Sequence, residues 1–213
     1  MAVSDHDLID AWKHVLTLSK LEPGQIVTVL TSSTTHPQTL STALTAAQLM
    51  GAMVNRLDLP PVNGEKALSR DALAYLGTTP LTGNRAAIAA LKESDLVLDL
   101  MTLLFSPEQH DILASGTKIL LAVEPPEVLV RMVPRLDDKE RVAQAARRFE
   151  GKKEMRVTSA AGTDLRCPLG EFPVIQEYGF VDAPGRWDHW PSGFVLTWPD
   201  ERQTSGTPVI DRG

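Results

Sequence analysis

The 213-residue sequence predicts an α/β protein: an open, doubly wound parallel sheet with helices on both faces, followed by a smaller antiparallel β segment. Two observations carry this reading. Through about residue 150, short apolar runs alternate with stretches of helical periodicity, and that alternation demands a parallel sheet covered on both faces. Beyond Gly151, strand-like runs are joined by Ala160-Ala161-Gly162, a hairpin signature rather than a crossover. The chain therefore reads as an α/β domain of the Rossmann or flavodoxin kind over 1–150. A β-rich segment over 151–213 opens an incomplete second domain and contains a Trp-rich loop.

Residues 7–19 place Leu8, Ile9, Trp12, Val15, Leu16 and Leu18 close to helical spacing, and Glu22-Pro23-Gly24 stops the helix. The β-branched run 25–30 reads as a buried strand, and the Ser/Thr-rich stretch 31–37 behind it is expected to cap the next helix. That helix covers about 37–50 and yields to a second strand over 52–59, ended by Pro60 and Pro61. Further helices are expected over 71–76 and 84–93, a third strand over 96–101, a helix over 107–114 opened by Pro107, and a fourth strand over 118–123. Strands 25–30, 96–101 and 118–123 should be buried neighbours. Glu124-Pro125-Pro126-Glu127 breaks the pattern at the carboxyl end of the fourth strand, the edge of an open sheet where ligands sit. A charged helix over 137–149 precedes the hairpin runs 154–159 and 163–168. The stretch 205–213 begins like a strand with no partner behind it, an unfinished edge that reads as the mark of a fragment.

Composition removes several function classes. A net charge of −6 with no local Lys/Arg cluster argues against a nucleic-acid partner, which would need a basic face. The single cysteine, Cys167, has no intramolecular disulfide partner, and the N-terminus lacks the flank and apolar run of a signal peptide. The nearest candidate for a membrane span, 96–105, is short and broken by Asp99. A cytoplasmic location without membrane contact is expected. The five histidines are scattered with no metal-ligand spacing, and neither a nucleophile elbow nor a Walker loop is present.

The densest chemistry lies in Gly185-Arg186-Trp187-Asp188-His189-Trp190-Pro191-Ser192-Gly193, with Gln176-Glu177-Tyr178-Gly179 just before it. Glycines and Pro191 make the stretch a poor helix and a poor strand, so a loop is expected. Tryptophan faces beside an imidazole and carboxylates suit a pocket that sandwiches a flat polar ring and moves its protons. The structural alternative is a surface loop whose tryptophans cover the sheet edge. Glu177 precedes His189 by twelve residues and either converges with it as a carboxylate and imidazole pair or remains a solvated carboxylate. Leu103, Leu104 and Phe105 follow a strand end and form either an apolar pocket wall or ordinary core.

Several motifs together, Ala122-Val123-Glu124-Pro125-Pro126-Glu127-Val128-Leu129, Ser106-Pro107-Glu108-Gln109, Leu81-Thr82-Gly83-Asn84 and 184–193, resemble the 2,5-dihydroxypyridine 5,6-dioxygenases across essentially the whole chain. The resemblance implies a mononuclear non-haem iron(II) enzyme of nicotinate and nicotine breakdown that opens the pyridine ring with O2 to give N-formylmaleamate, and a homo-oligomer. It also implies a fold related to the aminopeptidase T metallopeptidases. Members of the family hold Fe(2+) with two histidines and an aspartate that have no counterpart here. This chain alone is therefore expected to bind no iron and to be inactive, with the metal ligands lying beyond residue 213. By the same resemblance, Glu177 and His189 match positions of the substrate pocket and are assigned the catalytic role. Leu104, Phe105, Trp187 and Trp190 are assigned to substrate binding, with Phe105 standing where relatives carry histidine. The competing readings are a metallohydrolase of the aminopeptidase T type and a non-catalytic binding or assembly module.

Overall fold

A computed structural model describes residues 3–61, 67–68, 75–76 and 79–210. Helix α1 (Asp5–Leu18) starts where Ser4 accepts the Asp7 amide, and its stripe Leu8, Trp12, Val15 and Leu16 is fully buried. It is followed by β1 (Ile26–Thr31), α2 (Pro37–Leu49), β2 (Met53–Asp58), the paired dipeptides β3 (Ala67–Leu68) and β4 (Tyr75–Leu76), α3 (Arg85–Lys92) and β5 (Leu96–Asp99). Then come α4 (Pro107–Ala114), β6 (Lys118–Leu121), α5 (Pro126–Arg131) and α6 (Asp138–Arg147). The last third contributes β7 (Glu154–Thr158), β8 (Asp164–Pro168), β9 (Ile175–Glu177), β10 (Trp187–His189), β11 (Phe194–Leu196) and β12 (Ser205–Thr207).

The main sheet has five strands in the order β10-β6-β5-β1-β2, every pairing parallel. β1, β5 and β6 are the expected buried neighbours, because continuous apolar runs such as Leu-Val-Leu suit strands covered on both faces. Leu30, Val97 and Ile119 pack with Leu91 of α3 and Ile112 of α4. Side chains alternate along a strand, so Val29, Leu98 and Leu120 face the other layer, where α1 packs on α2. A sheet with helices on both faces is the fold class predicted.

Four expectations change in detail. The helix placed at 71–76 falls largely outside the described residues, and its described part, Tyr75–Leu76, pairs as strand with Ala67–Leu68. The Pro125-Pro126 interruption does not end regular structure, because proline suits a helix start and α5 begins at Pro126. The Trp-rich stretch contains a strand after all: Trp187, Asp188 and His189 pair with Ile119, Leu120 and Leu121 as the edge of the parallel sheet. The late segment Ser205–Thr207 does have a partner, lying antiparallel to β8 at Asp164–Arg166.

The chain forms two compact units. The first comprises Met1–Asp138 together with Glu177–Gly193, so the Trp-rich stretch belongs to the α/β sheet rather than to the later β-rich part where the sequence had put it. The outgoing chain leaves this unit at Asp138, not near residue 150. The second unit, Lys139–Gln176 with Phe194–Gly213, is built on α6 and the sheet β12-β8-β7, and the pairing of β9 with β11 completes its strands. No described helix is long and apolar enough to cross a membrane.

Candidate functional site

Edge strand β10 gives the site its form. Its alternation puts Trp187 and His189 on one face and Asp188 on the other. Asp188 is fully buried, and its carboxylate accepts the amides of Tyr178 (3.1 Å), Gly179 (2.9 Å) and His189 (2.8 Å) and pairs with Arg186. The Arg186 guanidinium in turn lies 3.7 Å from the centre of the Tyr178 ring. One buried carboxylate thus fastens the turn after Glu177 to the strand that bears His189. Burial lifts Asp188 above the ordinary aspartate range, against the pull of Arg186 and the two amides.

Glu177, at the end of β9, is 3% exposed. Burial, aided by the charge of Asp188, pushes its pKa up to about 7, while Ser192, whose Oγ is 3.5 Å away, and Arg186 act in the opposite sense. Its folded pKa is above the unfolded value, so the stability it contributes is complete below about 4.5 and is lost as pH rises through about 7. We expect the Glu177 carboxyl C=O band in difference infrared spectra to titrate near pH 7 and to vanish in Glu177→Gln. A band titrating near 4.5 refutes the shift.

His189 has burial lowering its pKa more than Glu124, 3.8 Å from Nε2, raises it. The ring is therefore neutral at pH 7, and the Glu124 contact is not an ion pair there. Its Nε2 is buried and makes no hydrogen bond, and the same holds for Trp187 Nε1 on the same face. Phe105 packs against Trp187 with ring centres 5.5 Å apart. Its loop is held by the buried Asp99 carboxylate, which accepts the amides of Met101, Thr102 and Leu103, and by Gln109 Oε1, which accepts the Phe105 amide. Phe105 itself sits at φ +56°, an uncommon backbone angle that these bonds enforce. Leu104 is half-buried on the same loop.

The structure does not bring together every residue singled out in sequence. Glu177 and His189 make no hydrogen bond or ion pair with each other, and the tie between them runs through Asp188 and backbone amides. Trp190 is fully buried: its ring meets Trp12 edge-on at 4.8 Å and its Nε1 donates to Met132 O. It is core, with no surface left for a ligand. Sequence reasoning assigns no role to Asp188, although Arg186 and Asp188 stand two apart and share a face wherever the chain is extended. That spacing was the available signal.

Fold and site together define an α/β protein that carries its titratable groups at the end of an edge strand, beside the carboxyl ends of a parallel sheet. The family model for 2,5-dihydroxypyridine 5,6-dioxygenase (NicX) matches residues 7–213, and the chain belongs to that family. A curated 2,5-dihydroxypyridine 5,6-dioxygenase from Pseudomonas putida is 50% identical over all of this chain, which spans 61% of that relative's length. The solved structure of the 2,5-dihydroxypyridine dioxygenase from Pseudomonas putida KT2440 superposes with a TM-score of 0.86 at 50% identity, over 96% of this chain and 59% of that one. Wild-type AmpT from Thermus thermophilus matches with a TM-score of 0.58 at 14% identity, over 94% of this chain and 63% of that one, a likeness of fold alone.

Proposed function

We propose that this chain forms the ring-binding, proton-handling part of a dioxygenase that cleaves 2,5-dihydroxypyridine between C5 and C6 and keeps both atoms of O2 in the product, N-formylmaleamate. One observation carries the proposal: two buried ring nitrogens on one face of β10, Trp187 Nε1 and His189 Nε2, have no hydrogen-bond partner, and the Phe105 ring packs against Trp187. Buried polar groups without partners are rare in proteins, and a flat ring bearing hydroxyls supplies what both require. The family membership supports the choice of substrate.

In this reading Leu104, Phe105 and Trp187 hold the ring, and neutral His189 accepts a hydroxyl proton at Nε2, which makes the ring more electron-rich for oxidation. Glu177, half ionised near pH 7, is a second proton acceptor. The dioxygenase relative suggests a metal cofactor. Among the described residues no three His, Cys, Asp or Glu side chains gather as a metal-binding group. The described residues therefore do not fit an iron centre, and the iron(II) implied by the resemblance would require other ligands. The steps given to this chain are confined to binding the ring and moving its protons. Homo-oligomeric assembly, which rests on the resemblance, and a cytoplasmic location, which rests on the cysteine usage, belong to the same proposal.

The test is turnover by the protein expressed from its complete reading frame and loaded anaerobically with Fe(2+). Consumption of one O2 per 2,5-dihydroxypyridine, with N-formylmaleamate formed, is expected. Peptide hydrolysis without O2 uptake would favour the aminopeptidase T reading, and saturable ring binding without either reaction would favour a binding module.

A further inference from the structure

The connections at the carboxyl edge of the sheet diverge between β1 and β5. From β1 the chain crosses to β2 on one side, and from β5 it crosses to β6 on the other. An open α/β sheet leaves a crevice where its connections part in this way. Here the crevice has a volume of about 390 Å³, and Thr34, Thr35, His36, Thr39, Thr102 and Glu124 are among its lining residues.

Helix α2 begins at this crevice in an unusual state. The Ser/Thr stretch ahead of it was expected to cap it, but those hydroxyls are spent on the loop. Ser32 and Thr34 bond each other at 2.9 Å, and Thr35 Oγ1 takes the Ser32 amide at 3.0 Å while donating to Leu100 O at 2.9 Å. The residue in the cap position is His36, whose side chain makes no capping bond, and Pro37 behind it has no N–H to offer. The first-turn amides of Gln38 and Thr39 are thus left at the positive end of a 13-residue helix without a capping side chain. Independently, Thr39 is only 2% exposed, and its Oγ1 is buried with no hydrogen-bond partner although the residue lines the crevice. A hydroxyl in that state lacks a partner that the protein itself does not supply.

We propose that this crevice binds a small carboxylate, seated on the Thr39 amide and the Thr39 hydroxyl. A planar carboxylate accepts from an amide and a hydroxyl at once, and it is the charge that a helix N-terminus favours. Glu124 is the one acid among these lining residues, and its Oε1 lies 3.8 Å from His189 Nε2, so that side chain is turned toward the imidazole. Opening a dihydroxypyridine ring creates a carboxylate, so the crevice would receive that end of the product. This last step, and only this step, rests on the function proposed above.

The test is titration of the ¹⁵N-labelled 213-residue chain with maleamate, with acetate and with chloride at constant ionic strength. The Thr39 amide signal should move saturably with both carboxylates and not with chloride. Maleamate binding tighter than acetate identifies a product-like ligand, and equal binding identifies a general carboxylate site. Thr39→Val should weaken binding by about tenfold, the loss of one charge-assisted hydrogen bond, and Thr39→Ser should retain it. Linear shifts, equal shifts with chloride, or unchanged binding in Thr39→Val would overturn the proposal. Saturable carboxylate binding in a protein that cleaves no ring leaves the site standing and removes its link to the product. Ring cleavage without carboxylate binding refutes the site alone.

Discussion

On the function proposed here, His189→Ala should lower ring cleavage by roughly a hundredfold to ten-thousandfold, the range for loss of one positioned proton acceptor. The size of the effect follows from where the imidazole stands. It is held neutral at pH 7 by burial, its Nε2 is unused, and its backbone is fixed by the Asp188 carboxylate through the His189 amide. An alanine leaves that backbone bond in place, so the folded structure should be retained and the loss should appear in kcat more than in KM. Steady-state O2 uptake together with circular dichroism checks this. Native-like folding with unchanged turnover would make His189 a structural residue only.

The second large effect is on stability. Asp188→Ala should lower the unfolding free energy by about 3–5 kcal/mol, the cost of removing one partner of a buried ion pair. Arg186 would lose its partner, and the Tyr178, Gly179 and His189 amides would lose their shared acceptor. Asp188→Asn keeps the shape and part of the hydrogen bonding, so its loss should be smaller. Urea denaturation of the chain measures both. A change below about 1 kcal/mol in the alanine variant would show that the carboxylate is not the tie described.

The strands β1, β5 and β6 were legible because a strand buried on both faces reads as a mainly apolar run, and Leu96–Leu98, Ile119–Leu121 and Val27–Leu30 do so in sequence, the last interrupted only by Thr28, which is buried and bonded to Ser94. β10 was not legible. It has three residues, contains Asp and His, and lies between glycines, and its partner Ile119 is far away in sequence. Only the open edge of β6 makes it a strand. The local pattern also could not separate the two tryptophans: Trp187 shares a face with His189, whereas Trp190 is buried against Trp12 of a helix near the other end of the chain. The Ser/Thr stretch misled for a related reason. Hydroxyls beside a helix start are usually caps, but here the neighbouring β5 loop offered Leu100 O as a competing partner.

The α/β unit takes its edge strand from a second pass of the chain, Glu177–Gly193, after an excursion through Lys139–Gln176. No single contiguous segment therefore contains the unit without also containing that excursion. A truncation at Asp138 would leave β6, buried along its length, as a bare apolar edge, the kind of surface that recruits a strand from another molecule. Dissection of this protein into autonomous pieces must therefore splice rather than cut, joining residues 1–138 to 177–193 through a designed linker. A proteolytic nick within 139–176 would likewise leave the strand bearing His189 held to the rest of the sheet by noncovalent contacts alone, its pairing with β6 and the burial of Trp190 against Trp12 among them.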